Sequence, residues 1–462
     1  MKYLLVDFGS TYTKLTAIDS DKLCIVGTSK AITTITTNIL DGYDSALAIL
    51  ENNIGKVEYD KILACSSAAG GLKMAALGLV PELTVEAAKR ACLGAGAKVS
   101  KVVISKLNNR EIKSIIDEKI DIILLAGGTD GGNSECILYN AKKISGANLN
   151  IPIIVAGNKD CSDEIEEIFS KADIRYEIVD NVMPKVNELD IDGAKEEIRK
   201  VFLDTIIEAK GIKKAQEKVG SVIMPTPEAV LKAAKLLSDG FEEEIGVGDL
   251  VVVDIGGATT DIHSIGHGMP TRADVTLKGL DEPYSKRTVE GDLGMRYSIM
   301  SIIDGYGEYR LNQLVDKKYD MKAECQKRYN DITIVPKSES DYEIENALAY
   351  ACSDISMSRH VGILESFYTQ FGQMNYQTGK DLSNVKCIIG TGGVIINSND
   401  YEYILSGVCR NDSSANELRP NKPKLRIDNH YILSAMGVLS EYDEMTAIKI
   451  MKKYIMEDNV DE

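Results

Sequence analysis

Asp254 ends an apolar run, Leu250-Val251-Val252-Val253, and Gly256 and Gly257 follow within three residues. Thr259, Thr260 and Asp261 come next, and Ile262 and Ile265 restore the apolar pattern. A short buried strand, a tight glycine turn and a return strand account for that order. Backbone N–H groups and hydroxyls then face whatever lies over the turn. Such a nest suits phosphate oxygens, and an acid at its root suits a hydrated magnesium ion. Taken alone, the same residues also fit an ordinary hairpin with a Gly-Gly turn.

The start of the chain repeats the pattern. Residues 3–6 are an apolar run that delivers Asp7, and Gly9, Ser10, Thr11, Thr13 and Lys14 follow before an apolar return through Ile18. Asp7 and Asp254 are thereby equivalent. Each hairpin has a second echo further on, IILLAGG at residues 122–128 and CIIGTGG at 387–393. A repeat of so long a period means one domain per copy, which excludes a solenoid. The elements needed to position these residues are two α/β domains of the same design, with a cleft expected between them.

Two Asp-x-Gly hairpins followed by an apolar-Gly-Thr-Gly-Gly turn resemble the actin, hexokinase and Hsp70 superfamily of ATPases. In that light residues 7–14 are similar to its first phosphate motif, and residues 254–261 to its second. Gly390, Thr391, Gly392 and Gly393 are similar to its adenosine motif, and Ala435-Met436-Gly437 to the helix after it. The resemblance implies a duplicated actin-like ATPase of the ribonuclease H-like fold that binds ATP and Mg2+. It further implies that Gly9, Ser10, Thr11, Thr13, Gly256, Gly257, Thr259 and Thr260 wrap the β- and γ-phosphates. Lys14 would neutralise developing charge, and Asp7 and Asp254 would hold magnesium through its waters.

Composition sets limits. At 462 residues the chain is long enough for about three domains. Its net charge of −17 leaves no basic excess to displace counterions from nucleic acid. Nine cysteines, an odd number with no CxxC pair, read as reduced thiols. No basic-then-apolar leader precedes Tyr3 and no run is long enough to span a membrane, so a cytoplasmic protein is expected.

Along the chain, strands and helices alternate from residue 98 to residue 179, a pattern that predicts a parallel sheet. That stretch is longer than a bare first copy needs. Residues 181–241 read as a polar helical insertion or lid, with Pro225 and Pro227 as punctuation. The domains are therefore expected at 1–245 and 246–462. Residues 341–371 read as one long helix, with Arg359 a candidate for the adenine or ribose side. In KRTVEGDLGMR, residues 286–296, Glu290 and Asp292 are candidates to hold a metal-bound water or orient an attacking one; a solvated loop is the alternative.

Some motifs lead elsewhere and fail. Asp261-Ile-His263-Ser-Ile-Gly266 fits the D-x-H-x-x-G cobalamin signature, but the Ser-x-Leu and Gly-Gly that should follow are missing. Neither GxGxxG nor GxxxxGK[ST] occurs, which removes support for dinucleotide and P-loop readings.

At the level of the whole chain, DFGSTYTK, SSAAGGLKMAALGL, LAGGTDGGN, DIGGATTDIHS and VEGDLGMR resemble the MutL/GlmL family. That family is encoded with adenosylcobalamin-dependent glutamate mutase and related aminomutases. The resemblance implies a chaperone-like reactivating ATPase whose partner is such a mutase, and it leaves a small-molecule kinase and an actin-like filament as alternatives on the same fold.

Overall fold

A computed structural model describes residues 1–34, 39–67, 72–209, 222–370 and 372–457. The chain divides into two compact units, Met1–Ala229 with Gly279–Asp281, and Val230–Lys278 with Glu282–Glu462. The division falls inside the helix Thr226–Asp239, ahead of the Gly246 turn that the sequence suggests.

In the first unit, β1 (Lys2–Phe8) is apolar along its whole length because both faces of the sheet are covered. It pairs antiparallel with β2 (Tyr12–Asp19) and parallel with β4 (Lys61–Ser66). With β3 (Cys24–Ile32) and β10 (Val222–Pro225) the sheet has the order β10-β4-β1-β2-β3. Between β4 and β10 the chain inserts a second sheet made of β5 (Lys73–Gly78), β6 (Lys98–Ile104), β7 (Ile122–Leu125), β8 (Ile153–Val155) and β9 (Tyr176–Ile178). All its pairings are parallel and its order is β6-β5-β7-β8-β9, with helices in the connections.

In the second unit a two-stranded ribbon, β11 (Gly240–Phe241) and β12 (Glu244–Ile245), precedes β13 (Leu250–Ile255) and β14 (Thr260–Ile265). Then come β15 (Val275–Lys278), β16 (Ser285–Glu290), β17 (Ile363–Thr369), β18 (Gly372–Thr378), β19 (Cys387–Thr391) and β20 (Lys424–Ile427). The main sheet runs β16-β14-β13-β19-β20, and β15, β18 and β17 form a smaller one. As in the first unit, the strand carrying the acid is central, antiparallel to its hairpin partner and parallel to the fourth strand. The same order and polarity in both sheets is a duplicated, ribonuclease H-like arrangement.

Three expectations change. IILLAGG at 122–128 is not the counterpart of CIIGTGG: β7 belongs to the inserted sheet, and the strand beside β1 in the place of β19 is β4. β4 therefore holds the equivalent place, and residues 68–71 of the small-residue segment that follows it lie outside the described ones. Residues 181–241 are not a purely helical insertion, because after the helix Asp192–Ala209 the chain returns to the first sheet as β10. Pro225 is tolerated there because β10 is an edge strand. The long helix ends at His360, and after Gly362 the segment Ile363–Thr369, with Ile363, Phe367, Tyr368 and Thr369 among its residues, is a strand.

The helix Glu339–His360 starts with a capping box, Ser338 and Asp341 each accepting from the other's backbone. Its middle is buried against β13 and β14 through residues such as Leu348, Ala351 and Cys352. Two polar side chains under or on this helix, Lys380 and His360, are satisfied internally. Lys380, fully buried, donates to the carbonyls of Ser264, Pro283 and Tyr284. His360 sits between the Thr288 and Ser264 hydroxyls, 2.8 Å from each. All nine cysteines are free thiols. Among the described residues no helix is long and apolar enough to cross a membrane.

His263 is buried in β14 rather than presented as a ligand, and burial, reinforced by Arg287 and opposed by Asp261, lowers its pKa to about 3. Burial, then Lys286 and Lys380, also hold His360 well below the usual histidine value. Each depressed histidine takes up its proton only in the unfolded chain, so stability is intact above about pH 6.5 and falls as the pH drops below it. At pH 5 His263 alone accounts for a loss of about 2 kcal/mol, and His360 adds in the same direction. Denaturant unfolding at pH 7 and pH 5 should show this decline, and His263→Leu should shrink it by about 2 kcal/mol. The same pH dependence in the variant would mean that His263 is protonated in the folded state.

Candidate functional site

The first hairpin places Asp7 opposite Lys14. Its turn closes with the Gly9 N–H donating to the Tyr12 carbonyl at 3.1 Å, and a side chain at Gly9 would come within 2.6 Å of that oxygen. Ser10 and Thr11 are exposed on the turn, Ser10 donating to the Ser67 carbonyl. Thr13 points the other way. Its hydroxyl is buried 3.1 Å from that of Thr33, which in turn donates to the Gly9 carbonyl. Thr13 therefore braces the turn from below and does not face outward.

Asp7 is 4% exposed and held on several sides. The Lys14 ammonium lies 3.5 Å from Oδ2, and the Thr226 hydroxyl donates to Oδ1 at 2.7 Å. The Cys65 thiol is 3.6 Å from the same Oδ1; burial, then Asp7, push its pKa well up, so it stays protonated. Nothing local in the sequence links Thr226 to Asp7. The bond follows from the parallel registers that set Cys65 beside Asp7 and Met224 beside Cys65.

The second hairpin has the same backbone plan. Asp254 lies opposite Asp261, and the Gly256 N–H donates to the Thr259 carbonyl at 2.9 Å. The side chains after the turn differ. Where the first copy has Lys14, this one has Asp261, paired with the buried Arg287 at 2.6 Å. Thr259 donates to Asp261, and Thr260 is fully buried with its hydroxyl on the Leu293 carbonyl at 2.6 Å. Residues 291–298 press against this turn. The N–H groups of Met295, Arg296 and Tyr297 bond the Gly256 and Gly257 carbonyls, and a side chain at Gly294 would meet Ala258 at 2.3 Å. The GDLGMR segment is thus a backbone brace for the hairpin.

Glu290, at the end of β16 opposite Thr260, is bound to Arg359 at 2.6 Å, and Arg359 also grips Asp292 through both its terminal nitrogens. Burial raises the Glu290 pKa despite that partner. Arg359 accordingly belongs to this acidic pair, not to the third turn. Deeper in the unit, Glu345 takes both Arg296 and the fully buried Arg328.

The third turn sits beside Asp254, because β19 runs parallel to β13 with Thr391 next to that acid. Gly392 has φ +92° and a side chain there would lie 2.4 Å from the Ile255 carbonyl and 2.5 Å from Asp254 Oδ1. Gly390 is packed against Ile395 and Leu405. Gly393 differs from both: it is exposed and a side chain there would meet open space. Thr391 donates to Asp428, a fully buried acid that sequence reasoning did not single out. Asp428 also accepts the N–H groups of Ile432 and Leu433 at the start of the helix Leu433–Leu439, and burial raises its pKa. It ties the turn to the helix that carries Gly437. Among the described residues there is no group of three acids, histidines or cysteines placed to hold a metal directly.

A model of the MutL protein family matches residues 3–455. Protein MutL of Clostridium tetanomorphum is 52% identical over 457 residues, which cover 98% of this chain and 99% of that protein. Among solved structures, the activator of the 2-hydroxyisocaproyl-CoA dehydratase from Clostridium difficile with bound ADPNP aligns over 100% of both chains, at 10% identity and a TM-score of 0.32. The xylulose kinase from Bifidobacterium adolescentis aligns over 97% of this chain and 92% of its own, at 11% identity and a TM-score of 0.31.

The two glycines of the third turn should behave differently. Gly393→Val should leave the thermal midpoint within a few degrees of wild type and weaken ATP binding by about tenfold or more, as a side chain takes space the nucleotide needs. Gly392→Val should lower the thermal midpoint as well, because its side chain collides with backbone that cannot yield. Calorimetry with ATP and a melting curve on each variant separate the two effects. Unchanged affinity in a folded Gly393→Val would mean that the nucleotide does not use this turn.

Proposed function

This chain belongs to the MutL protein family, and on that premise we propose that it is an ATP-hydrolysing, chaperone-like reactivating factor for an adenosylcobalamin-dependent mutase. Glutamate mutase or a related aminomutase is the partner we infer, with exchange of damaged cobalamin as the outcome and the cytoplasm as the setting. The observation that carries the ATPase reading is the pair Asp7 and Asp254. They occupy the same position on the central strand of two sheets of identical order, each followed by a glycine whose N–H closes the turn.

The side chains divide the labour. With the Gly9 and Gly256 N–H groups closing the turns, the backbone N–H groups of Ser10 and Thr11 in one copy and of Gly257 and Thr259 in the other are the donors for phosphate oxygens. Lys14 adds a positive charge beside Asp7, suited to a phosphate that gains charge in the transition state. Asp7 and Asp254 are the carboxylates that would hold magnesium, an ion that keeps most of its waters and so needs few protein ligands. When bound, that ion neutralises the charge on the β- and γ-phosphates. Asp254 or Glu290 would orient the attacking water, Glu290 from the position in which Arg359 holds it. Gly393 leaves the opening against which a ribose can lie.

Hydrolysis matters to a partner only if the partner distinguishes the ATP form from the product form. By linkage, a mutase that prefers the ATP form tightens ATP binding by the same factor. Such coupling suits a factor that acts on a protein, and among the described residues none is an evident site for a small phosphoryl acceptor.

Asp7→Asn and Asp254→Asn should each slow ATP hydrolysis by about 10²-fold or more, the size expected for one preorganised charge. Near-normal turnover in both variants would sink the ATPase reading. For the partner, the protein is mixed with cobalamin-inactivated glutamate mutase, fresh adenosylcobalamin and ATP–Mg2+. Mutase activity should return only with ATP and magnesium, and should not return with Asp254→Asn. Recovery without ATP, or transfer of labelled γ-phosphate to a small metabolite, would replace this reading with that of a kinase.

A further inference from the structure

The two sheets can be superposed strand for strand by their pairing alone, which shows where the copies have diverged. Beside the acid-bearing strand, the fourth strand presents Cys65 next to Asp7 in one copy and Thr391 next to Asp254 in the other. Directly after the fifth strand stand Thr226 in the first copy and Asp428 in the second. In the second copy the corner is closed on itself: Asp428 takes the Thr391 proton and two helix N–H groups. In the first copy the polarity is reversed. Thr226 carries the hydroxyl, and it turns that hydroxyl on Asp7 at 2.7 Å.

The direction of this bond is fixed by chemistry. An ionised carboxylate only accepts, and a threonine hydroxyl has a single proton to give. With Lys14 at Oδ2 and Thr226 at Oδ1, the plane of the Asp7 carboxylate is held from both ends. Thr226 is itself held. It is the first residue of the helix Thr226–Asp239, and prolines at 225 and 227 restrict the backbone on each side of it. An acid here, as in the second copy, would set two negative charges against each other in a buried corner.

We propose that Thr226 is a positioning residue for the first hairpin, fixing the orientation in which Asp7 holds hydrated magnesium. The inference rests on the ATPase reading above. The residue acts through Asp7 and contacts neither nucleotide nor metal. A rotated Asp7 should then show mainly in the response to magnesium, and much less in the affinity for ATP itself.

The test compares Thr226→Val, which keeps the shape and removes the hydroxyl, with Thr226→Ser, which keeps the hydroxyl. Magnesium is titrated while ATP binding is followed by calorimetry and hydrolysis by phosphate release, with melting curves as a check on folding. In Thr226→Val the magnesium concentration for half-maximal effect should rise about tenfold or more, the scale of one lost hydrogen bond to a charged group. ATP affinity without magnesium should stay within about twofold, and Thr226→Ser should return the magnesium response to within about twofold of wild type. If Thr226→Val does not fold, Thr226→Ala carries the same measurement. A magnesium response that is unchanged without the hydroxyl, in a protein whose wild type hydrolyses ATP, overturns this inference and leaves the ATPase reading standing. So does a failure of serine to restore it. A wild type whose ATP binding ignores magnesium overturns both.

Discussion

The parallel pairing of the acid-bearing strand with the fourth strand is the constraint on which the rest depends. In the second unit it sets Thr391 beside Asp254, and so brings the backbone of Gly392 against that carboxylate. In the first unit it sets Cys65 beside Asp7 and, one strand further, allows Thr226 to reach the same acid. Antiparallel hairpins form from neighbouring residues, but these contacts need strands separated by a long stretch of chain. A shift of register by one residue would turn each acid to the opposite face of its sheet. The burial of β1 and β13 on both sides holds the register in place.

Duplication has kept the backbone and changed the side chains. Both turns close through the same glycine N–H, yet the residue opposite the acid is Lys14 in one copy and Asp261 in the other. Asp261 is neutralised by Arg287, a partner on the third strand of its own sheet. Lys14 is turned toward Asp7. Two copies of one scaffold thus carry unlike electrostatics.

Local pattern made part of this legible. An apolar run, an acid, glycine and hydroxyls lie within a dozen residues, so both hairpins and the third turn could be located from sequence. What failed was non-local. IILLAGG and CIIGTGG look alike because both end a buried parallel strand in a glycine turn, and only the pairing shows that they belong to different sheets. β10 has four residues, one of them proline, which is too little pattern to distinguish from the helix that follows. The Thr13 and Thr260 hydroxyls looked available because a hairpin has two faces, and composition does not say which face is covered. The Arg359 grip on Glu290 joins a helix end to a strand end, and no spacing announces it.

The inserted sheet has a consequence for the order in which the chain can be assembled. Translation delivers β1 to β4 early, but the fifth strand of that sheet is β10, and the whole of β5 to β9 must be made before it emerges. Until then the outer edge of β4 is an open row of backbone donors and acceptors, the kind of edge that invites wrong partners. The insertion, built from parallel neighbours linked by short helical crossovers, has its own core around Ile123, Leu125 and Val155 and can pack as it leaves the ribosome. The first unit therefore closes from the inside outward. The last strand to be made completes the oldest sheet, and the corner where Thr226 meets Asp7 comes into being only with it.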